Sequence, residues 1–215
     1  MLFSDLRESE LDSIVEPIDN YLFETGAKIY EPIDEADFVY TIRRGLVKLE
    51  QVGADGNGRI VRLLGTGDVL GMEALLAEPY QHTAWALHRV DLCRIPVSVI
   101  EALKRSYPDL NDQLARRWED SLETADYWIT RLSSGHAKQR AAWLIRFLIR
   151  MTGGTPDYVE LLSSADMAAA IGTTVETLSR TMAEMKQNGI LENVGARHYR
   201  CDVEAIKALS EQRVA

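Results

Sequence analysis

The sequence predicts an α+β chain in three parts: an N-terminal antiparallel β-roll, one long helix, and a C-terminal group of short helices edged by a hairpin. Three observations carry that expectation. Short β-rich runs separated by glycine turns fill residues 23–96. Apolar residues then recur at three- and four-residue steps from Pro108 to Ser133, and two short capped helical patterns precede a basic hairpin. At 215 residues, 46% hydrophobic and 27% charged, the chain has the composition of an ordinary globular protein with one or two cores.

Residues 1 to about 22 carry helical periodicity through Leu2, Leu6, Leu11, Ile14 and Val15. Strands are expected at Phe38-Val39-Tyr40-Thr41-Ile42, Leu46-Val47-Lys48-Leu49 and Ile60-Val61-Arg62-Leu63-Leu64. The turns fall at Arg44-Gly45, at residues 54–58 and at Gly65-Thr66-Gly67-Asp68. Regularly spaced short strands with glycine turns argue for an antiparallel roll or barrel. Glu73 to Ala77 reads as one helical turn, after which strands resume at Trp85-Ala86-Leu87 and from Leu92 to Pro96.

Pro108 suits the first turn of the long helix. Leu114, Trp118, Leu122, Ala125, Ile129 and Leu132 form a narrow apolar seam along it, and the other faces are charged. Such a seam wants a partner helix. It either docks on its own β domain or meets a second copy of the chain, and the homodimer is the expectation adopted. Ser133-Ser134-Gly135 breaks the helix and is the expected hinge. The predicted boundaries are therefore 1–107 for the roll, 108–134 for the helix and hinge, and 135–215 for the C-terminal domain.

That last domain begins with an amphipathic helix through Ala141, Leu144, Ile145, Leu148 and Met151. Ser163 to Gly172 reads as a short capped helix with a C′ glycine. A turn through Thr174 leads into a second helix, where Thr173 and Glu176 have capping-box spacing. Leu178, Met182 and Met185 form its apolar stripe, Gly189 stops it, and Ile190–Val194 and Arg197–Arg200 flank the turn Gly195-Ala196 as a hairpin. Helix, tight turn, helix and basic hairpin in that order make a winged helix-turn-helix, whose second helix enters the DNA major groove by its N-terminal end. Glu176, Ser179 and Arg180 share one face there. An arginine bridges guanine O6 and N7, and a glutamate accepts from cytosine N4. Thr174, Thr177, Lys186, Arg197 and Arg200 are the expected phosphate contacts. Taken alone, Glu176 and Arg180 are also an ordinary i, i+4 pair on a solvated face; the surrounding elements favour double-stranded DNA as partner.

The net charge of −9 divides unevenly. Residues 1–135 hold 24 acids and 14 bases, and residues 136–215 hold 9 acids and 10 bases, giving −10 and +1. The DNA-reading part is thus close to neutral and relies on locally placed cations. No P-loop, G-x-S-x-G, HExxH or CxxC is present, so no catalytic residue is assigned and an enzyme is not expected. No apolar run reaches the length of a membrane span, and the acidic start Met1-Leu2-Phe3-Ser4-Asp5 lacks a signal-peptide pattern, so a cytoplasmic protein without membrane contact is expected. Cys93 and Cys201 read as two small buried or half-buried hydrophobes.

β-roll, long helix, hinge and winged helix in this order resemble the CRP/FNR family of bacterial transcription regulators over essentially the whole chain. The most specific motifs are Gly65-Thr66-Gly67-Asp68-Val69-Leu70-Gly71 and Val175-Glu176-Thr177-Leu178-Ser179-Arg180. The resemblance implies a cyclic-nucleotide-binding-like roll whose effector or redox signal repositions the DNA-binding domains through the hinge, with RNA polymerase as a partner. It places an effector pocket at Gly71, Met72, Glu73, His82 and Thr83. Where the cyclic-AMP branch has its phosphate arginine this chain has His82, and Met72 replaces the glutamate. An imidazole cannot supply a permanent bidentate charge, so cyclic AMP is not the expected effector.

The recognition helix is instead similar to the FNR branch, with Glu176, Ser179 and Arg180 at its reading positions, which implies TTGAT-like half-sites in an inverted repeat. The iron–sulfur cluster of that branch needs three N-terminal cysteines besides the one matching Cys93. They are absent, and the cysteine count excludes the cluster. No other metal is assigned. Two alternatives stay open: a regulator sensing nitric oxide or oxygen through non-covalent haem, with His82 as axial ligand, and an effector-binding roll acting mainly by protein–protein contact. His82 also reads simply as a histidine on a polar loop.

Overall fold

A computed structural model describes residues 18–53, 56, 58–152, 155 and 157–212. The chain divides into two compact units, Met1–Gln51 with Arg62–Glu123, and Val52–Val61 with Thr124–Ala215.

Eight strands build the roll: β1 (Asp19–Phe23), β2 (Lys28–Tyr30), β3 (Phe38–Arg44), β4 (Val47–Val52), β5 (Gly58–Leu64), β6 (Val69–Leu70), β7 (Thr83–Ala86) and β8 (Val90–Pro96). They form two four-stranded sheets, in the orders β1-β8-β3-β6 and β2-β7-β4-β5. The period-2 alternation of a strand sends Val47 and Leu49 of β4, and Val90 and Leu92 of β8, into the core. Antiparallel pairing of β3 with β8 sets Ile42 opposite Leu92, both fully buried.

The helical periodicity expected over residues 1–22 lies outside the described residues up to position 17, and beyond that it is corrected. Asp19–Phe23 is strand β1, paired antiparallel with β8 from Asp19↔Arg94 to Phe23↔Val90. Tyr21 and Phe23 favour a pleated surface. Arg94 fastens the strand, with its guanidinium 2.9 Å from Asp19 and stacked over Tyr21 and Phe38 at 4.3 and 4.2 Å. A helix α1 (Val97–Ser106), unforeseen in the sequence reading, follows β8 and buries Ile100 and Leu103.

The long helix is present as α2 (Asp109–Tyr127), continued by one π-helical turn at Trp128–Leu132. A π turn inserts an extra residue and rotates the faces that follow it. The expected seam is split, and Leu114 already departs from it ahead of the π turn. Leu114 and Leu132 are buried within the chain at 2% and 0% exposure, Trp118 and Ala125 are half-buried, and only Leu122 and Ile129 stand exposed at 68% and 64%. Leu114 and Leu132 are core side chains rather than outward ones.

After the break at Ser133–Gly135, α3 (Ala137–Thr152) forms the spine of the second unit, with Ala141, Leu144, Ile145 and Leu148 fully buried. It packs against β9 (Tyr158–Glu160), α4 (Ser164–Ile171), α5 (Val175–Gln187) and α6 (Val203–Glu211). The expected hairpin is β10 (Leu191–Asn193) and β11 (His198–Cys201), and β9 pairs with β11 as a third strand. Arg146 ties α6 to the spine through Ser210 Oγ at 2.7 Å and Glu211 at 2.9 Å. Among the described residues no helix is long and apolar enough to cross a membrane.

Candidate functional site

Two places bring the candidate residues together: the outer face of α5 with the wing, and a cavity in the roll. The helix-turn-helix is built by two caps. Ser163 Oγ accepts the Asp166 N–H at 3.0 Å, satisfying one donor that the first turn of α4 leaves open, and its hydroxyl donates to the Asp166 carboxylate at 2.6 Å, which holds the cap in place. Gly172, at φ +61°, closes α4 in the left-handed region where a Cβ is strained.

The cap of α5 is Thr174, whose Oγ1 accepts the Thr177 N–H at 3.2 Å, and this corrects the expected Thr173–Glu176 box. The Thr173 N–H is used instead to bond Ala168 O at 3.0 Å and close the preceding helix, which moves the start one residue on. Glu176 therefore sits in the first turn. Its carboxyl is held below the usual range by its own backbone N–H, then by the Thr174 hydroxyl, with Arg180 contributing least. Thr174 and Thr177, both expected at phosphates, have their hydroxyls 3.1 Å apart.

Leu178, Thr181 and Met185 bury one side of α5, which leaves Glu176, Ser179 and Arg180 exposed on the other. Among the described residues no hydrogen bond or ion pair holds the Ser179 or Arg180 side chain. The cations of the wing are different, because each already has a partner. Arg197, itself at φ +62°, pairs with Glu160 at 3.4 Å, and Arg200 pairs with Glu192 at 3.4 Å. Lys186 lies over the Tyr199 ring at 4.9 Å. A groove of about 400 Å³ between α4, α5 and β11 brings Ser179, Lys186 and Arg197 together with Ser163 and Ser164, two serines expected from the sequence only at the start of a capped helix. Arg200, Glu176 and Arg180 do not line it.

The cavity of the roll holds about 220 Å³. Gly71, Met72, Glu73 and His82 line it as expected, whereas Thr83 heads β7 opposite Glu50 and is not part of the lining. Gly71 sits at φ +70°, and a Cβ there would stand 2.8 Å from the Tyr80 ring. Tyr80 is fixed by donating its hydroxyl to Phe38 O at 2.8 Å and by stacking on Tyr30 at 4.1 Å. Glu73 Oε1 accepts the Gln81 N–H at 3.1 Å. Burial and then the Arg62 charge push the His82 imidazole toward its neutral form, with Glu73 opposing.

Arg62, Gln81, Trp118 and Ser121 also line the cavity, beside Leu49, Val69, Leu70 and Leu76, and the sequence did not point to them there. Arg62 had a signal, a lone cation inside the apolar run 60–64. Periodicity places Trp118 in the outward seam because it does not distinguish a partner helix from a pocket wall. Haem is larger than the drug-sized ligands that occupy cavities of roughly 300–1,000 Å³, and the 220 Å³ around His82 does not hold it. The Cys93 thiol donates to Asn20 Oδ1 at 3.3 Å, and burial pushes Cys201 up to about 11.

Residues 22–107 match the family model of the cyclic nucleotide-binding domain, and residues 141–210 match that of the Crp-like helix-turn-helix domain. The chain is 26% identical over 195 residues to the electron transport regulator A of Shewanella oneidensis, covering 88% of this chain and 78% of that one. It is 28% identical, with the same coverage, to the fumarate and nitrate reduction regulatory protein of Vibrio cholerae. Among solved structures, FixK2 from Bradyrhizobium japonicum superposes with a TM-score of 0.81 at 22% identity, over 92% of this chain and 99% of that one. At that identity the last likeness bears on the fold alone.

Proposed function

This chain belongs to the CRP/FNR family of transcription regulators, and from that premise we propose that it acts as a homodimer reading TTGAT-like inverted repeats in double-stranded DNA. Arg180 takes the guanine, Glu176 the cytosine of the opposite strand, and Ser179 a neighbouring thymine. Thr174, Thr177, Lys186, Arg197 and Arg200 meet phosphates. A signal held in the roll reaches the DNA-binding domains through Ser133–Gly135, and RNA polymerase is the protein partner. The observation that carries the reading is the exposed first-turn face of α5, where Glu176, Ser179 and Arg180 stand together and Arg180 is untied. Leu122 and Ile129, exposed and seven residues apart on α2 and its π turn, support a helix-to-helix dimer contact.

Binding to a TTGAT-N4-ATCAA duplex, compared with duplexes changed at single positions, tests the reading. Arg180→Ala should cost about 1–3 kcal/mol and relax the preference at one base pair, whereas Lys186→Ala should weaken all sequences alike. Equal weakening by Arg180→Ala on every sequence would remove its base-reading role. Leu122→Glu should give monomers in sedimentation, and an intact dimer would move the interface elsewhere.

A further inference from the structure

The cavity in the roll carries charge of an unexpected kind. Two basic side chains, Arg62 from β5 and His82 from the segment before β7, line the same 220 Å³ space. They lie close enough for the guanidinium to disfavour protonation of the imidazole. Among the described residues Glu73 is the only carboxylate in the wall, and one of its oxygens is taken by the Gln81 N–H. Among the described residues neither the Arg62 nor the His82 side chain makes a hydrogen bond or ion pair. Most of the remaining wall is apolar, including Leu49, Leu70 and Leu76. Arg62 is half-buried beside these apolar side chains, and its planar guanidinium fork matches a carboxylate.

We propose that this cavity binds a small organic monocarboxylate, its carboxylate on Arg62 and its compact apolar body against the leucines and Trp118. The proposal rests on the reading of the roll as the sensing part of the regulator. Size sets the class. The cavity falls below the roughly 300–1,000 Å³ that drug-sized ligands occupy, so a single ring or a branched chain fits and a purine ribotide does not. Trp118 and Ser121 stand one turn apart on α2, so a ligand here rests directly against the long helix, and occupancy changes what supports that helix.

The test is calorimetric titration of the full chain with benzoate and isovalerate, with benzamide and isovaleramide as their neutral isosteres, and with cyclic AMP. At least one carboxylate should saturate, and its amide should bind about tenfold or more weakly, the scale of one charge-assisted hydrogen bond. Arg62→Gln should lose that discrimination and Arg62→Lys should keep part of it, both with wild-type circular dichroism. Amide binding equal to carboxylate binding, unchanged affinity in Arg62→Gln, tighter binding of cyclic AMP, or saturation by neither carboxylate would each overturn the proposal. Binding of the ligand-free protein to the TTGAT duplex is scored separately. Failure there sinks the DNA reading and leaves the cavity result standing, and the reverse also holds.

Discussion

The Tyr127 ring meets the Trp143 indole edge-on, centroids 5.7 Å apart and planes at 89°. Tyr127 ends α2 and Trp143 lies in the second turn of α3, so the contact reaches across the break at Ser133–Gly135. Phe147 joins it at 5.6 Å from Tyr127, and Arg131 and Arg146 lie over the indole at 4.7 and 4.4 Å. The segment expected to act as a hinge is thus bridged by an aromatic cluster with cations on its faces. Trp143→Ala should destabilise by about 3–5 kcal/mol, the range for a large aromatic lost from a core. A Tyr127→Ala/Trp143→Ala cycle in urea should leave a coupling of about 0.5–1.5 kcal/mol, the worth of an aromatic pair beyond its area. Additive effects would mean that the two rings pack independently and do not couple the helices.

Gly71 and Gly67 share the motif 65–71 and a positive φ, of +70° and +94°, yet their surroundings differ. A Cβ at Gly67 meets nothing within 4 Å, whereas at Gly71 it meets the Tyr80 ring at 2.8 Å and Phe38 O at 3.1 Å. Tyr80 cannot swing away without losing its hydrogen bond to Phe38 and its stack on Tyr30. Gly67→Ala should therefore cost only the backbone term, about 1–2 kcal/mol. Gly71→Ala should cost that plus the strain of overpacking, about 1–3 kcal/mol more. Thermal denaturation of both variants checks the order, and equal losses would show that the roll yields around Tyr80.

Glu160 stands 3.4 Å from Arg197 and 3.9 Å from His198, so the free wing presents part of its charge already neutralised. A phosphate must displace this carboxylate to reach Arg197. Glu160→Gln should strengthen binding to every DNA sequence and steepen the salt dependence by up to about one unit of log–log slope, since one more cation becomes available to release counterions. Titrations at several salt concentrations measure the slope. An unchanged slope would take Arg197 off the phosphate backbone.

Sequence pattern was a sufficient guide where one period or one cap decides the outcome. Helices α4 and α5, the wing hairpin and the apolar side of α3 follow from Ser163, Gly172, Gly189 and the spacing of Ala141, Leu144, Ile145 and Leu148. It failed where tertiary partners decide. Asp19–Phe23 has a helix-compatible neighbourhood, but β8 offers it an open edge and Arg94 fastens it there. The cap of α5 fell one residue later than the S/T-x-x-E pattern suggested because α4 claims the Thr173 N–H. In the candidate sites, Gly71, Met72, Glu73 and His82 were legible from a motif, while Arg62, Gln81 and Trp118 converge from separate elements. No local pattern encodes that convergence.

His82 makes the stability of the roll depend on pH in a definite direction. Burial and Arg62 lower its pKa in the folded state from the ordinary 6.5, and Glu73 only partly opposes them. The unfolded chain therefore binds more protons than the folded one through the interval below about 6.5, and stability falls as pH falls through the folded-state pKa. Above about 6.5 both states hold a neutral ring, and the contribution is flat and fully present. Urea midpoints at pH 7.5 and 5.5 should fall further for the wild type than for His82→Gln. Arg62→Gln should narrow the fall, because it removes the second cause and leaves burial. Bound benzoate should narrow it too, by giving the protonated ring a counter-charge. Parallel falls in the wild type and His82→Gln would place the pH dependence on other groups and leave His82 out of it.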